Sequence, residues 1–600
     1  MKHNKITLII SFVLSLLLIT IGLSFAYFTS NITGTEDSTT IQASGGVMNI
    51  NYDGGENINT PNIFPSNEAF ATKNFTLTGK STTNDNMNYH IILVIEENTF
   101  TNNALEYKLT STNTDGNGTV APSIIQSGIA NGDQEIYLGD GIFESPANNK
   151  EHSYKLELYF PDTIEDQNDD MNKTFKAYIN IREGNYNFPG YNPEKGVNHP
   201  VLFTGMTPVK WDEDNKEIET TEDDPDWFDY DEKRWANAKS ADGSYWVWIP
   251  RYAYKILTCY HTSADDCLLD TGKPAGEIDV KFLKGTTNMS EDNASIESTG
   301  YEAHIKDTSM HYFLHPAFQF NGDELGFWIA KFEPSVANQE SDCYLYATDF
   351  CDNTTETLTV IPNVKPWIGI SVSNAFIVSR NMKNKKEIYG WFSSELDSHM
   401  MKNVEWGAVT YLTNSRYGAN KEIWNNSNIN RLTGCSGNTE NADSQSFCTE
   451  YDSINGVKAS TTHTIYGVYD MRGGAREYVA AYVDTGDNNL IHGESLLISE
   501  LKYKDIYKKS DSGTRSDNFD VNSHYYGDAI YETSDSGRSE NSGWFYAYSF
   551  FPSGNVPWFR RGGGMEDYGQ GYYPGIYYFY SGYGHKTQSF TFRPVLVPLK

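Results

Sequence analysis

Tyr466-Gly467-Val468-Tyr469-Asp470-Met471-Arg472-Gly473-Gly474-Ala475-Arg476-Glu477-Tyr478-Val479 is the stretch whose reading decides the fold. The adjacent Gly473 and Gly474 supply backbone conformations with positive φ, or a close approach, that other residues resist. Glu477 is suited to a buried, charge-assisted pair, with Arg593 or Arg561 as its cation. Trp406 and Tyr478 offer large apolar bodies with a polar tip. Gly562 and Gly563 repeat the glycine signal downstream. Trp406, Gly473, Gly474, Glu477, Arg561, Gly562, Gly563 and Arg593 all read as scaffold: they define a fold and carry no chemistry.

Working outward, four further segments flank this one in a fixed order. Gly326-Phe327-Trp328-Ile329-Ala330-Lys331-Phe332-Glu333 reads as a strand. Val404-Glu405-Trp406 sits on an expected helix, with Tyr417-Gly418 closing that element. Arg561-Gly562-Gly563 and Phe592-Arg593-Pro594 come last. Together the five resemble the formylglycine-generating enzyme (sulfatase-modifying factor) family, across residues 326–597. The resemblance implies an α+β, C-type-lectin-like fold over 201–600. It also extends to a bacterial surface and phage subgroup whose last segment is hypervariable between "RGG" and "FRPV".

What the resemblance implies about catalysis is negative. The generating enzymes use two late cysteines, one inside a closing "GFRC". Here Pro594 follows Arg593 and no cysteine occurs after Cys448, so thiolate chemistry has no candidate there. A related branch holds iron with three histidines. His311 and His315 have HxxxH spacing, but Tyr312-Phe313 and Pro316 argue for a strand or loop end, where the two would not share a helix face. Asp323 and Glu324 serve as acid and base only if placed across a cleft. A non-enzyme is therefore expected, with an enzyme on the same scaffold as the alternative.

The tail between the two closing motifs holds Tyr568, Tyr572, Tyr573, Tyr577, Tyr578, Tyr580 and Tyr583 among glycines. Tyrosine gives a rigid, amphipathic contact surface at low entropic cost. Alternation breaks at Tyr572-Tyr573 and Tyr577-Tyr578, so the segment reads as a loop region with at least three of the seven exposed. The expected partner is an extracellular glycan or protein. A retroelement-diversified segment is the sharper variant, since such systems turn Asn codons into Tyr, Ser, Gly, Asp or Phe codons.

The chain of 600 residues is too long for one core, and its 14% aromatic content suits β-rich domains. A net charge of −33 leaves no basic stripe for nucleic acid. Lys2 and Lys5 precede an apolar run, Ile6 to Phe28, with the small-residue site Ser24-Phe25-Ala26. Residues 1–28 are read as an export signal or, uncleaved, an N-terminal membrane anchor. The protein is expected to be extracellular or at the cell surface. The six cysteines pair locally as Cys259 with Cys267, Cys343 with Cys351 and Cys435 with Cys448, because the intervals are short and polar and CxxC-like metal spacing is absent.

Residues 29–183 alternate short apolar runs with polar turns: Phe75–Thr78, Tyr89–Ile95, Tyr107–Leu109, Tyr154–Phe160 and Phe175–Ile181 all have period two. That pattern predicts a β-sandwich, jelly-roll-like. The end of the leader, Ser24-Phe25-Ala26-Tyr27-Phe28-Thr29, resembles camelysin and biofilm-fibre proteins, where such a domain follows; a matrix component is thus a third possibility. Residues 184–200 read as a linker, and the acidic run 212–232 as a solvated loop. Asn113, Asp115 and Asn117 resemble the start of a calcium loop, but Ile124 stands where the bidentate Glu belongs. No cofactor is expected, structural calcium being left open. Helices are expected over Val372–Met382 and Leu396–Ser415.

Overall fold

The computed structural model describes residues 39–42, 48–53, 58–60, 63–81, 86–101, 104–111, 126–129, 131–144, 150–162, 167–262, 266–270, 272–292, 294, 296, 311–337, 351–565, 567 and 573–599. The leader and the calcium-like string Asn113 to Asn117 lie outside them. The chain divides into two compact units, Met1–Asn187 and Phe188–Lys600.

The first unit is a two-sheet sandwich. Its strands are β1 (Thr39–Gln42), β2 (Met48–Asp53), β3 (Ile58–Thr60), β4 (Ser66–Ser81), β5 (Met87–Asn98), β6 (Leu105–Ser111), β7 (Gln126–Ile129), β8 (Gln134–Phe143), β9 (Lys150–Phe160) and β10 (Phe175–Glu183). One sheet runs β1-β2-β4-β9-β6-β7 and the other β3-β10-β5-β8, each antiparallel throughout. Period-two patterning carries this arrangement. β9 buries His152, Tyr154, Leu156, Leu158 and Phe160, and β10 buries Phe175, Ala177, Ile179 and Ile181, while the residues between them are half-buried or exposed. The large apolar side chains from both sheets meet in one core, each contributing about 1.5–3 kcal/mol.

The second unit begins inside the expected linker. Tyr191–Asn192 pairs with Val197–Asn198, and the buried Asn198 amide donates to the carbonyls of Gly285 at 2.8 Å and Leu325 at 3.0 Å. These contacts, invisible in a Gly/Pro/Asn-rich stretch, make residues 188–200 an anchored hairpin. The acidic run is likewise folded. Trp227, Phe228 and Tyr230 are buried within it, so its carboxylates line the outside of an aromatic clamp.

Two sheets organise this unit. The first is antiparallel, in the order Glu217–Glu219, Thr207–Trp211, Asn237–Lys239, Tyr245–Pro250, Gly326–Ala330, Pro594–Pro598, Leu396–Met400. The chain's last strand is thereby inserted in the interior, between Gly326–Ala330 and Leu396–Met400. The second sheet is mixed: Asp505–Tyr507, Arg476–Val483, Trp558–Gly562, Gly575–Gly582, Ser549–Phe550, Arg538–Ser539, with Phe590–Thr591 joined to Arg476–Val483. Helix Val372–Asn381 forms as the sequence predicts.

The second expected helix is shorter. Leu396–Met400 is a strand, and the helix spans Asn403–Thr413. Met400, Val404, Ala408 and Leu412 stand one helical turn apart in sequence, a spacing that suggests a helix from Met400, whereas Met400 pairs with Pro594 across the sheet. Tyr417-Gly418 lies beyond the helix end, not at it. At the helix start, the Glu405 carboxylate accepts from the Lys402 amide at 2.8 Å, covering an amide that the helix cannot satisfy. Every residue of this helix is buried.

Candidate functional site

The scaffold residues converge on two buried arginines. Arg593 Nη2 donates to Glu477 Oε1 at 2.6 Å and to the Tyr469 carbonyl at 3.0 Å, and Nη1 donates to the Ala330 carbonyl at 2.8 Å. One guanidinium thus ties together Gly326–Ala330, the Tyr466–Val479 segment and the closing strand. Asp470 accepts from the Gly434 amide at 2.9 Å and from Asn426 at 2.8 Å. Glu333 accepts from the Ala475 amide at 3.0 Å. Burial, reinforced by the charges of Asp470 and Glu477 and opposed by Arg593, pushes the Glu333 carboxyl well above its usual range. Gly473 and Gly474 turn the chain into this node with φ of +81° and +64°; a Cβ on Gly473 would lie 2.1 Å from Asn425 Oδ1.

Arg561 is the cross-strand backbone partner of Glu477, but its guanidinium is directed elsewhere. It donates to Asn403 Oδ1 at 3.2 Å and to the carbonyls of Asp528 at 2.9 Å and Ala529 at 3.0 Å. Its guanidinium lies 5.5 Å from the Trp406 ring centroid, and Trp406 Nε1 donates to the Ile576 carbonyl at 2.7 Å. Burial lowers Arg561 to about 10, with the Asp528 charge opposing the shift. Asp528 itself rises to about 7, chiefly through burial and despite the hydrogen bond from Tyr507. Gly562 and Gly563 follow with φ of +80° and +77°, where the ladder to Gly575 shifts register.

The tyrosine tail is not a loop through most of its length. Gly575–Gly582 is a strand with neighbours on both sides, antiparallel to Trp558–Gly562 and parallel to Ser549–Phe550. Tyr577 is buried against Trp544, with ring centroids 5.1 Å apart, and Tyr578 is buried on the opposite face beside Tyr548. This corrects their assignment as ligand-contacting residues. A strand covered on both faces shows a continuous apolar run, so the Tyr577-Tyr578 doublet marks double burial and not exposure. Tyr573 and Tyr580 are half-buried, Tyr583 is exposed and stacks on His585 at 5.4 Å, and Tyr568 and Tyr572 lie outside the described residues.

On one face of this second sheet Tyr478 and Tyr578 are buried, while Phe550, Arg560, Tyr580 and Phe590 are half-buried. Arg560 and Tyr580 are direct cross-strand partners. The Arg560 guanidinium lies 4.2 Å from the Tyr580 centroid and 4.6 Å from that of Phe590. Phe550 stacks on Tyr580 at 4.7 Å, and Arg515 covers Phe550 at 3.7 Å. Arg538, exposed, is the cross-strand partner of Phe550. The half-buried Arg476 at the other side pairs with the buried Asp567 carboxylate. Burial lowers Arg515 to about 10, and the neighbouring positive charges of Arg538 and Arg560 act in the same direction. The face interleaves cations and rings drawn from seven separate segments. Local sequence signals single out Tyr580 alone.

The other sequence-derived candidates are structural. His315 is fully buried, capping a short turn from Pro316, with burial lowering it to about 3, while His311 is exposed and the two do not form a metal pair. Among the described residues no cluster of three His, Cys, Asp or Glu is placed to hold a metal. Asp323 pairs with the buried Arg251 at 2.8 Å and Glu324 caps the Phe320 amide at 2.9 Å, so the two are neighbours in one turn and do not face each other across a cleft. Disulfides join Cys259 to Cys267 and Cys435 to Cys448. Cys351 is disulfide-bonded too, and Cys343 lies outside the described residues. The two bridges indicate an oxidising compartment. Among the described residues no helix is long and apolar enough to cross a membrane.

Compared with family models, curated proteins and solved structures, the chain matches none of them.

Proposed function

We propose that the protein is an exported, cell-surface binding protein, in which a jelly-roll-like sandwich accompanies a C-type-lectin-like unit that reads an extracellular ligand. The observation that carries this is the half-buried row of Phe550, Tyr580, Arg560 and Phe590 on one face of the second sheet. Aromatic residues and arginine are the side chains most enriched at binding hot spots. The scaffold reading is supported by the meeting of its separate motifs at Arg593. A non-catalytic role follows from the lack of a cysteine after Cys448; a modifying enzyme on the same scaffold is the alternative. Diversification of this segment is compatible with the half-buried Tyr580 and the exposed Tyr583 and not with the core positions Tyr577 and Tyr578.

The test is a screen of the full chain on glycan and surface-protein arrays, repeated with Phe550→Ser/Tyr580→Ser. Circular dichroism and melting confirm that the variant is folded. Loss of the ligand by the folded variant is the expected result. A ligand retained at full affinity would move the site elsewhere.

A further inference from the structure

The outer face has an electrostatic character that its aromatic content alone does not require. Arg538 and Arg560 form no ion pair or side-chain hydrogen bond among the described residues, and Arg560 Nε is buried without a partner. This is unusual in a chain of net charge −33, which offers carboxylates in excess nearly everywhere. The inner neighbour Arg561 finds three oxygen acceptors. Arg560 finds two rings and none. A guanidinium lying over ring faces keeps its in-plane N–H groups free, and the stacking limits its rotation. Planar forks of this kind match carboxylate and sulfate oxygens bidentately.

We infer that this face binds an acidic saccharide, with Arg538 and Arg560 receiving its carboxylate or sulfate groups while Phe550, Tyr580 and Phe590 contact the sugar rings. The inference rests on the binding-protein reading above and specifies its ligand. A saccharide suits the face better than an acidic peptide. Gly575–Gly582 and Trp558–Gly562 lie inside the sheet, and the sheet edge beside them, Arg538–Ser539, is only two residues long, a poor template for strand addition, the usual way a sheet captures an extended peptide. Recognition must come from side chains, which read hydroxyl and acid groups directly.

The experiment measures binding of the full chain to sulfated heparan oligosaccharides, polygalacturonate fragments, neutral dextran and poly-L-glutamate at low ionic strength. The two acidic saccharides separate sulfate from carboxylate as the recognised group. The expected result is binding to at least one of them that weakens with salt and falls by about tenfold or more in Arg538→Gln/Arg560→Gln. Arg538→Glu, at an exposed position that cannot disturb folding through the core, gives the same loss. Arg560→Lys keeps the charge but not the fork, and lies between the two. Equal binding of dextran, equal or tighter binding of poly-L-glutamate, no binding of either acidic saccharide, or indifference to the arginine changes each overturns the inference. A ligand that depends on Phe550 and Tyr580 but ignores both arginines and salt would overturn it while leaving the binding reading standing. Loss of every face-dependent ligand would remove both.

Discussion

Arg560 and Arg561 are consecutive residues of one strand, and the molecule uses them in opposite ways. Strand alternation turns Arg561 inward, under Trp406, where fixed acceptors on Asn403, Asp528 and Ala529 receive it. The same alternation turns Arg560 outward between Tyr580 and Phe590, where nothing acidic meets it. Tyr577 and Tyr580 repeat the contrast one strand over. A buried charge must be matched by the protein itself, because water cannot reach it. A half-exposed charge left unmatched is available to something else. The Arg561 side of the strand therefore holds the fold, while the Arg560 side leaves a guanidinium stacked on rings without an acceptor.

The comparison is broken most severely at its inner end. Arg593→Met leaves Glu333, Asp470 and Glu477 without their cation, and removing one member of a buried ion pair costs about 3–5 kcal/mol. Denaturant unfolding of the second unit should show that loss. Next in size, Tyr577→Ala should cost about 3 kcal/mol by opening a cavity beside Trp544, whereas Tyr580→Ala should cost about 1 kcal/mol on the outer face. Equal costs would mean that the outer face is core and not surface.

Asp528 supplies a pH test of the inner face. Its carboxyl titrates at about 7 in the folded protein and at about 3.9 in an unfolded chain. The folded state therefore holds the proton between those values, and by linkage this group's contribution falls as pH rises from about 4 to about 7 and is constant outside that window. Asp528→Asn removes that slope. Melting curves should show the variant gaining on wild type, by on the order of 4 kcal/mol, as pH moves from about 4 to about 8. A constant difference across that range would show that Asp528 does not carry the slope. The smallest effect belongs to Arg560→Gln, expected to change stability by less than about 1 kcal/mol, measured by the same unfolding experiment. A larger loss would place Arg560 among the structural residues and weaken its role as a ligand contact.

Parts of this architecture were legible along the chain. Runs of the first unit such as Tyr154–Phe160 and Phe175–Ile181 are strands with one buried face, which alternation along the chain declares. Helix Val372–Asn381 and the pairing of Cys259 with Cys267 and Cys435 with Cys448 are local events. Other readings failed where the partner is remote. Leu396–Met400 looked helical because its strand partner lies nearly two hundred positions away, at Pro594–Pro598. Residues 184–200 looked like a linker because Gly285 and Leu325, which anchor Asn198, lie 87 and 127 positions away in sequence. Tyr577 and Tyr578 looked exposed because double coverage by Trp544 on one side and Tyr548 on the other cannot be seen in a run of tyrosines.

By itself, the amino-acid sequence determined the chemistry available: conformationally free glycines at 473 and 474, a carboxylate at 477 with two arginines to choose from, local disulfides, and a tail dense in rings. Tertiary structure alone decided which arginine took Glu477 and which tyrosines met solvent. It also gathered Arg538, Phe550, Arg560, Tyr580 and Phe590 onto one face. Local signals report what a few neighbouring residues prefer, whereas burial and pairing across a sheet depend on segments that only the folded chain brings together.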